Sequence, residues 1–193
     1  FSSQWFYDGK VKAAPQTAHR GILDYDNPME WIDDSSYDEG DSGETFVGET
    51  FGRVNKPEAH KVMEVLQAYF GKIGKSRILD EGIDVGIISP YRAQVHYMRH
   101  LIKKNVFFKP FRHLLSVNTV DGFQGQERDV IIVSLVRNNA DGQIGFLRDL
   151  RRMNVAMTRA RSKLIIIGDH KTLSHNSFYD KLYKYVQDTS RSL

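Results

Sequence analysis

A chain of 193 residues, 40% of them hydrophobic, is long enough to form one domain with a full apolar core. It has no cysteine, and its seven histidines lack the spacing of metal ligands, so neither disulfides nor a metal site is expected. The formal net charge is +3, yet residues 21–52 hold ten acids and no Lys or Arg; the basic remainder favours a polyanionic partner.

The first 54 residues are predicted to be an irregular N-terminal part of the same domain. They contain scattered aromatic side chains, a short strand around Met29–Ile32, and a loop rich in Ser, Asp, Gly and Glu at Asp33–Thr45. A helix is expected to follow, because Asn55 is a good N-cap and Glu58 completes a capping-box pattern three residues later.

Strands and helices are predicted to alternate over residues 55–193. The helix that begins at Asn55 is expected to end at Gly71 and Gly74. The alternation has the spacing of βαβ units, which predicts an α/β domain whose mostly parallel sheet has helices on both faces. The predicted strands are Val85–Ser89, Leu114–Thr119, Val130–Val136 and Leu164–Ile167, and the later helices are Tyr91–Lys104, Asp149–Arg161 and Ser177–Gln187.

Two polar runs stand directly before the last two predicted strands. Val117–Asp129 contains two glycines, and Arg151–Arg161 contains four arginines. Glycine lets backbone amides approach an anion closely, and arginine supplies a planar, permanently charged fork. Because α/β folds bind ligands at the edge of the sheet, these runs predict a phosphate-binding site.

Three segments resemble motifs four, five and six of the superfamily 1 helicases in sequence, order and spacing; they are Val85–Gln94, Val120–Asp129 and Asn154–Arg161. The branch that contains the nonsense-mediated-decay RNA helicase and the immunoglobulin-switch-region helicase is the most similar. Further similarity lies in Phe1–Ser3, Phe6–Gly9 and Ile144–Leu147, so the resemblance covers nearly the whole chain.

This resemblance implies that residues 55–193 form the second of two RecA-like domains, which have a P-loop NTPase-type fold. The phosphate-binding loop and the magnesium-binding carboxylates would belong to a first domain upstream. The chain contains no Gly-x-x-x-x-Gly-Lys-Ser/Thr pattern, which agrees with that division.

The resemblance further implies that Arg159 is the arginine finger of motif six. An arginine that reaches across a domain interface can stabilise charge on a phosphoryl group in transfer. The alternative interpretation is a surface arginine in a basic helix. Arg152, two helical turns earlier, is expected to share a helix face with Arg159, and Arg161 would brace the site through the carboxylate of Glu127 or Asp129.

Motif five implies three more residues of the nucleotide site. Gly125 and Glu127 match positions that the family uses near the sugar and phosphates, and Gln124 would connect the two motifs through its amide. A turn glycine beside a solvated glutamate is the alternative interpretation of the first two.

A single strand of DNA or RNA is expected to cross the top of both domains, held through its phosphates and by stacking. The residues implied by motifs four and five are Ser89, Pro90, Tyr91, Thr119 and Asp121, with Arg92 and Arg137 in support. Hydroxyls and backbone amides at strand ends can bind phosphate oxygens without reading sequence. The ring of Tyr91 either stacks on a base or packs on its neighbours at a helix start.

The sequence therefore predicts the C-terminal motor domain of an ATP-dependent DNA or RNA helicase that uses ATP and Mg²⁺. Its expected partners are single-stranded nucleic acid and the first RecA-like domain of the same polypeptide. A non-catalytic domain that binds nucleic acid or protein, and the helicase part of a nuclease fusion, are the alternatives. The chain begins without Met and is interpreted as a piece of a longer protein that is inactive alone.

No membrane association is expected. No apolar run reaches the length of a membrane span, and Phe1–Lys10 lacks the pattern of a signal peptide. We therefore expect an intracellular protein that is cytoplasmic, or nuclear if its source is eukaryotic.

Overall fold

The computed structural model describes residues 1–10, 21–24, 26–34, 43–48, 52–123 and 125–190. Its strands are β1 (Met29–Asp33), β2 (Glu44–Val47), β3 (Gly52–Asn55), β4 (Val85–Ile88), β5 (Leu115–Asn118), β6 (Arg128–Ser134) and β7 (Ala160–Gly168). Its helices are α1 (Ser2–Tyr7), α2 (Lys56–Ile73), α3 (Lys75–Glu81), α4 (Arg92–Lys104), α5 (Leu150–Met157), α6 (His170–Leu173) and α7 (Ser177–Ser190). Short 3-10 turns occupy Val106–Leu114, Asp121–Phe123 and Gly145–Arg148.

Five strands form one parallel sheet in the order β1-β7-β6-β4-β5. The strands β2 and β3 pair separately as an antiparallel hairpin. Helices cover both faces of the sheet, so the predicted α/β, RecA-like fold class is confirmed. Strand β1 comes from the N-terminal part of the chain and lies at one edge of this sheet.

Successive side chains of β6 point into two different apolar cores. Val130 and Ile132 pack with α2 and α4 on one face, whereas Ile131 and Val133 pack with α5 and α7 on the other. A strand buried on both faces has to be apolar throughout, which explains the continuous run that predicted it. Among the residues that the structure describes, no helix is both long and apolar enough to cross a membrane.

The first turn of α2 confirms one half of the capping-box prediction. The side chain of Asn55 accepts a hydrogen bond from the N–H of Glu58 at 2.9 Å. The Glu58 carboxylate does not return this bond; it accepts hydrogen bonds from Ser134 and Val136 instead. The N–H of Asn55 donates to the side chain of Gln94 at 2.9 Å. The helix start is thus tied to β6 and α4 as well as to itself.

The end of α2 differs from the prediction, because the helix continues through Gly71 to Ile73. Gly71 is exposed, and a Cβ added there would meet no described atom within 4 Å. Gly74 ends the helix, since its φ of +90° is a conformation that side chains disfavour.

We expect Gly71→Ala to raise the free energy of unfolding by roughly 0.5–1 kcal/mol, because alanine restricts the unfolded chain and fits the helix. Urea unfolding measures this. Gly74→Ala is the matched control and should destabilise, because φ is positive there. A loss of stability in Gly71→Ala would show that this position needs glycine after all.

The predicted helix Asp149–Arg161 is wrong at its C-terminal end. Helix α5 stops at Met157, and Ala160 already opens β7. The cause is pairing with β6, since the N–H of Arg128 donates to the carbonyl of Arg159 in the turn before β7, and Ala160 then pairs with Arg128. The prediction missed the β2–β3 hairpin and α3 altogether. Residues 35–42 of the predicted acidic loop lie outside the described residues.

Candidate functional site

The predicted site residues lie in two groups, one at the amino-terminal ends of the parallel strands and the other at their carboxyl-terminal ends. We call these two ends the amino edge and the carboxyl edge of the sheet. The first group lies at or just before the first residues of β6 and β7, and we call it the amino-edge cluster. It consists of Gly125, Glu127, Arg159 and Arg161. The motif-four and motif-five residues that follow β4 and β5 lie at the carboxyl edge. The general rule for α/β sheets places ligands at the carboxyl edge, so it accounts for the second group only.

Among the described residues, the guanidinium of Arg159 hydrogen-bonds only within its own turn. Its Nε donates to the carbonyl of Val155 at 3.2 Å and its Nη2 to the hydroxyl of Thr158 at 3.4 Å. No carboxylate in the described part of the chain pairs with it. Because Arg159 lies beyond the end of α5, the expectation that it shares a helix face with Arg152 is wrong; Arg152 pairs with Asp121 at the other edge.

Arg161 is held by carboxylates, in partial agreement with the prediction. Its guanidinium lies 3.3 Å from Asp129 and 3.5 Å from Asp84, and it donates to the backbone carbonyl of Glu127 at 3.3 Å. Of the two predicted carboxylates, Arg161 pairs with that of Asp129, and it contacts Glu127 through the main chain. Arg161 is fixed in place, whereas Arg159 is not.

Asp84 is a site residue that the sequence analysis missed. The carboxylate of Asp84 accepts the N–H of Asp129 at 2.8 Å, and that of Asp129 accepts the N–H of Asp84 at 3.1 Å. Partial burial raises the pKa of Asp129, and the negative charge of Asp84 adds to this while Arg161 opposes it. The register that pairs Val85 with Val130 places the two aspartates side by side.

The glycines of motif five have different roles. Gly125 has a φ of +74°, so its conformation requires glycine although a Cβ there would meet no described atom within 4 Å. A Cβ on Gly122 would lie 2.2 Å from the side chain of Asn118, so this glycine is required by packing. Glu127 is exposed, and its carboxylate forms no ion pair with the described residues. Gln124 lies outside the described residues, and its role stays a prediction.

A groove of about 1190 Å³ opens at the carboxyl edge. Residues of the β2–β3 hairpin, of the first turns of α4, of the segment after β5 and of the 3-10 turn at Gly145–Arg148 line it. Lys56, Arg92 and Arg152 make it basic. The predicted residues that line it are Pro90, Tyr91, Thr119 and Asp121. We call this feature the carboxyl-edge groove.

Ser89 and Tyr91 are buried at the edge of this groove. Ser89 is fully buried, and its hydroxyl accepts a hydrogen bond from the N–H of Tyr91 at 3.4 Å. Tyr91 is 4% exposed, its ring lies 5.4 Å from that of Phe146, and its hydroxyl accepts from Arg137 at 3.5 Å. This geometry favours the packing alternative for the Tyr91 ring.

Other predicted residues of this group differ in their access to the groove. Pro90 and Thr119 are partly exposed, and Asp121 is exposed with its carboxylate 3.5 Å from Arg152. Arg137 is 3% exposed and forms a 2.8 Å ion pair with Glu44, so it supports the wall of the groove and does not face into it.

Two buried carboxyl groups lie behind the groove. Glu58 is fully buried, and its carboxylate accepts from the Ser134 hydroxyl at 2.5 Å and from the N–H of Val136 at 2.9 Å. Asp34 is 2% exposed, and apart from the nearby Glu58 carboxyl no described group offers its oxygens a hydrogen bond. Burial raises the pKa of Glu58 well above its usual range and that of Asp34 to about 7.

The neighbours of this pair act in both directions. The charges of Asp169 and Asp33 raise the pKa of Asp34 further, whereas a hydrogen bond with Glu58 lowers it. The charge of Asp34 in turn raises the pKa of Glu58, because two nearby carboxyl groups resist being ionised together. The sequence analysis identified Glu58 only as a capping residue.

Comparisons with known proteins agree with the motifs. A profile of the AAA domain family matches residues 1–171. An uncharacterised ATP-dependent helicase of Methanocaldococcus jannaschii is 32% identical over 97% of this chain and 27% of its own length. The DNA polymerase alpha-associated DNA helicase A of Saccharomyces cerevisiae is 34% identical over 90% of this chain and 26% of its own length.

A third relative is the regulator of nonsense transcripts 1 homolog of Drosophila melanogaster, which is 31% identical over 97% of this chain and 16% of its own length. The chain thus spans about a quarter or less of the length of these three relatives. The profile match, the identities and the parallel sheet together show that this chain belongs to the AAA domain family, as a C-terminal RecA-like domain of the superfamily 1 helicases in the branch of the nonsense-mediated-decay helicase.

Proposed function

We propose that this chain is the C-terminal motor domain of an ATP-dependent DNA or RNA helicase. The amino-edge cluster would supply half of a nucleotide site, and the carboxyl-edge groove would supply part of the single-strand track. The observation that carries this proposal is the guanidinium of Arg159, which lies beside the amino-terminal ends of β6 and β7 and, within the described part of the chain, hydrogen-bonds only to Val155 and Thr158. Such a side chain can exchange two weak contacts for a phosphate.

Hydrolysis of ATP depends mainly on positioning and on stabilising charge at the phosphoryl oxygens. Arg159 would provide that charge from across the domain interface, so its contact forms only when the domains close. Arg161 would keep the chain before β7 in place through Asp84 and Asp129. Gly125 and Glu127, both exposed beside them, would face the sugar and phosphates.

The two aspartates of this half-site are poorly suited to Mg²⁺, and a single further carboxylate, that of Glu127, does not make a metal site. Asp84 and Asp129 are already engaged by Arg161 and by each other's backbone N–H. We therefore assign the magnesium ligands to the first RecA-like domain of the same polypeptide. The metal supplies charge neutralisation of the phosphates when it is bound.

A helicase acts where nucleic acid is, so we place the protein in the cytoplasm, or in the nucleus of a eukaryote.

The carboxyl-edge groove would bind the sugar-phosphate backbone. Pro90 and Thr119 present a strand-end surface, and Lys56 and Arg92 add cationic side chains that can attract phosphates. Asp121 is balanced by Arg152, which removes an unfavourable charge from the floor of the groove. Contacts of this kind do not read base sequence.

The isolated chain of residues 1–193 is expected to show no ATPase activity with or without single-stranded DNA or RNA, because half of the nucleotide site is absent. Steady-state phosphate release measures this, with circular dichroism to establish that the chain is folded. The full-length protein is the positive control and should be stimulated by a single strand. Strand-stimulated hydrolysis by residues 1–193 alone would contradict the divided site.

A further inference from the structure

Among the described residues that line the carboxyl-edge groove, the large aromatic side chain with the greatest exposure is Phe146, and it is not the one that the motifs indicate. Tyr91 is 4% exposed, whereas Phe146, which lies against it, is 61% exposed and lines the groove. We propose that Phe146 is the stacking platform for an unpaired base, an assignment that rests on the proposed function of this groove as a single-strand track. Base stacking on an aromatic side chain needs no particular sequence.

The backbone around Phe146 keeps its ring at the surface. Ile144 and Leu147, on either side, are 3% and 5% exposed and anchor the turn in the core beneath α5 and α7. Gly145 has a φ of +53°, and a Cβ there would lie 2.3 Å from the guanidinium of Arg137. The turn is thus pressed against a buried side chain, and Phe146 cannot turn inward without displacing it.

Arg137 joins this turn to the rest of the groove. Its guanidinium pairs with Glu44 of the hairpin at 2.8 Å and donates to the hydroxyl of Tyr91 at 3.5 Å. The ring of Tyr91 in turn backs the ring of Phe146, with centroids 5.4 Å apart and planes inclined by 40°. A rigid support behind an exposed ring lowers the entropy lost when a base stacks on it.

Phe46 is the other phenylalanine with 61% exposure, and it does not serve the same purpose. The groove is lined by Val47, Gly52 and Val54 of the hairpin, so the side chains that alternate with them face away. Phe46 is one of these, and the guanidinium of Arg53 covers it at 4.1 Å.

The ring and the cations of the groove would bind different parts of one strand. Lys56 and Arg92 attract phosphates, which duplex and single strands share, whereas a ring face requires a base whose own face is free. Phe146 would therefore favour unpaired over paired nucleic acid.

Binding of the full-length protein to an oligothymidylate, and to an abasic strand of equal length, tests this by fluorescence anisotropy. We expect Phe146→Ala to weaken binding of the oligothymidylate roughly five- to a hundredfold and to leave binding of the abasic strand unchanged. Phe146→Trp should retain the preference for the strand with bases. Thr119→Val, which removes a hydroxyl from the phosphate surface, should weaken binding of both strands by the same factor.

Other results of these binding measurements would contradict either the role of Phe146 or the proposed single-strand track. If Phe146→Ala binds both strands as the parent does, or loses both equally, the ring is not a base platform; the track still stands if Thr119→Val weakens binding of both strands. If Thr119→Val and Phe146→Ala both match the parent while the parent binds strongly, this groove is not the track, and the proposed function of the site fails with it.

Discussion

Replacement of Arg159 by alanine in the full-length protein is expected to lower kcat about a thousandfold or more, the usual scale for an arginine finger. Binding of a single strand should hardly change, because the amino-edge cluster lies at the opposite edge of the sheet from the groove. Folding should also be preserved, since the Arg159 side chain contacts only Val155 and Thr158. Arg159→Lys should rescue little, because an ammonium cannot reproduce the planar fork.

Steady-state ATPase measurements with saturating single strand test this expectation. Arg151→Ala is the matched control, since Arg151 is an exposed arginine of the neighbouring helix α5 and should be dispensable. Near-normal turnover of Arg159→Ala would show that Arg159 is an ordinary surface residue. Equal losses in both variants would point to the charge of the region and not to one guanidinium.

The second large effect concerns the dependence of stability on pH. Burial raises the pKa of Asp34 from 3.8 to about 7, so the folded protein holds a proton there that the unfolded chain has released. The contribution of Asp34 to the free energy of unfolding is therefore fully present below pH 4 and is lost as the pH rises towards 7. Asp34→Asn removes the ionisable group and should therefore stabilise the protein above pH 7, by up to about 4 kcal/mol.

Urea unfolding at a series of pH values between 4 and 8 measures this. The gain from Asp34→Asn should be small at the acid end and largest at pH 8. Asp80→Asn, which changes an exposed aspartate of α3, should shift stability by the same small amount at every pH. A parallel pH dependence of Asp34→Asn and its parent would show that Asp34 is not protonated in the folded state.

Regular elements were predictable where local pattern and tertiary packing agree. The apolar run of β6 and the N-cap at Asn55 are examples, and both stand in the structure. The end of α5 was not predictable, because residues 158–161 continue a good helical pattern. Residues 158–159 instead form a turn, and β7 begins at Ala160, which pairs with Arg128 of β6. The hairpin was missed because its short strands pair with each other and not with the main sheet.

Some features of the candidate site were likewise predictable from local sequence, and others were not. The motifs predict Arg159 and Glu127 as site residues from local sequence alone, and that assignment stays a prediction. The burial of Tyr91 and Glu58 depends on partners far along the chain, so the sequence did not predict it. Tyr91 is covered by Phe146, and Glu58 is bound by Val136, 78 residues later.

The placement of the two sites at opposite ends of β6 has a mechanical consequence. Six residue steps separate Arg128 from Ser134, which makes a lever of roughly 20 Å. A rigid-body rotation of about 10–15° pivoting at the amino edge would sweep the groove through roughly 4–5 Å. That travel is similar to the spacing of about 3.4 Å between nucleotides of one DNA strand. In the proposed helicase, the length of β6 would thus relate the domain rotation at the nucleotide site to the distance moved along a nucleic acid.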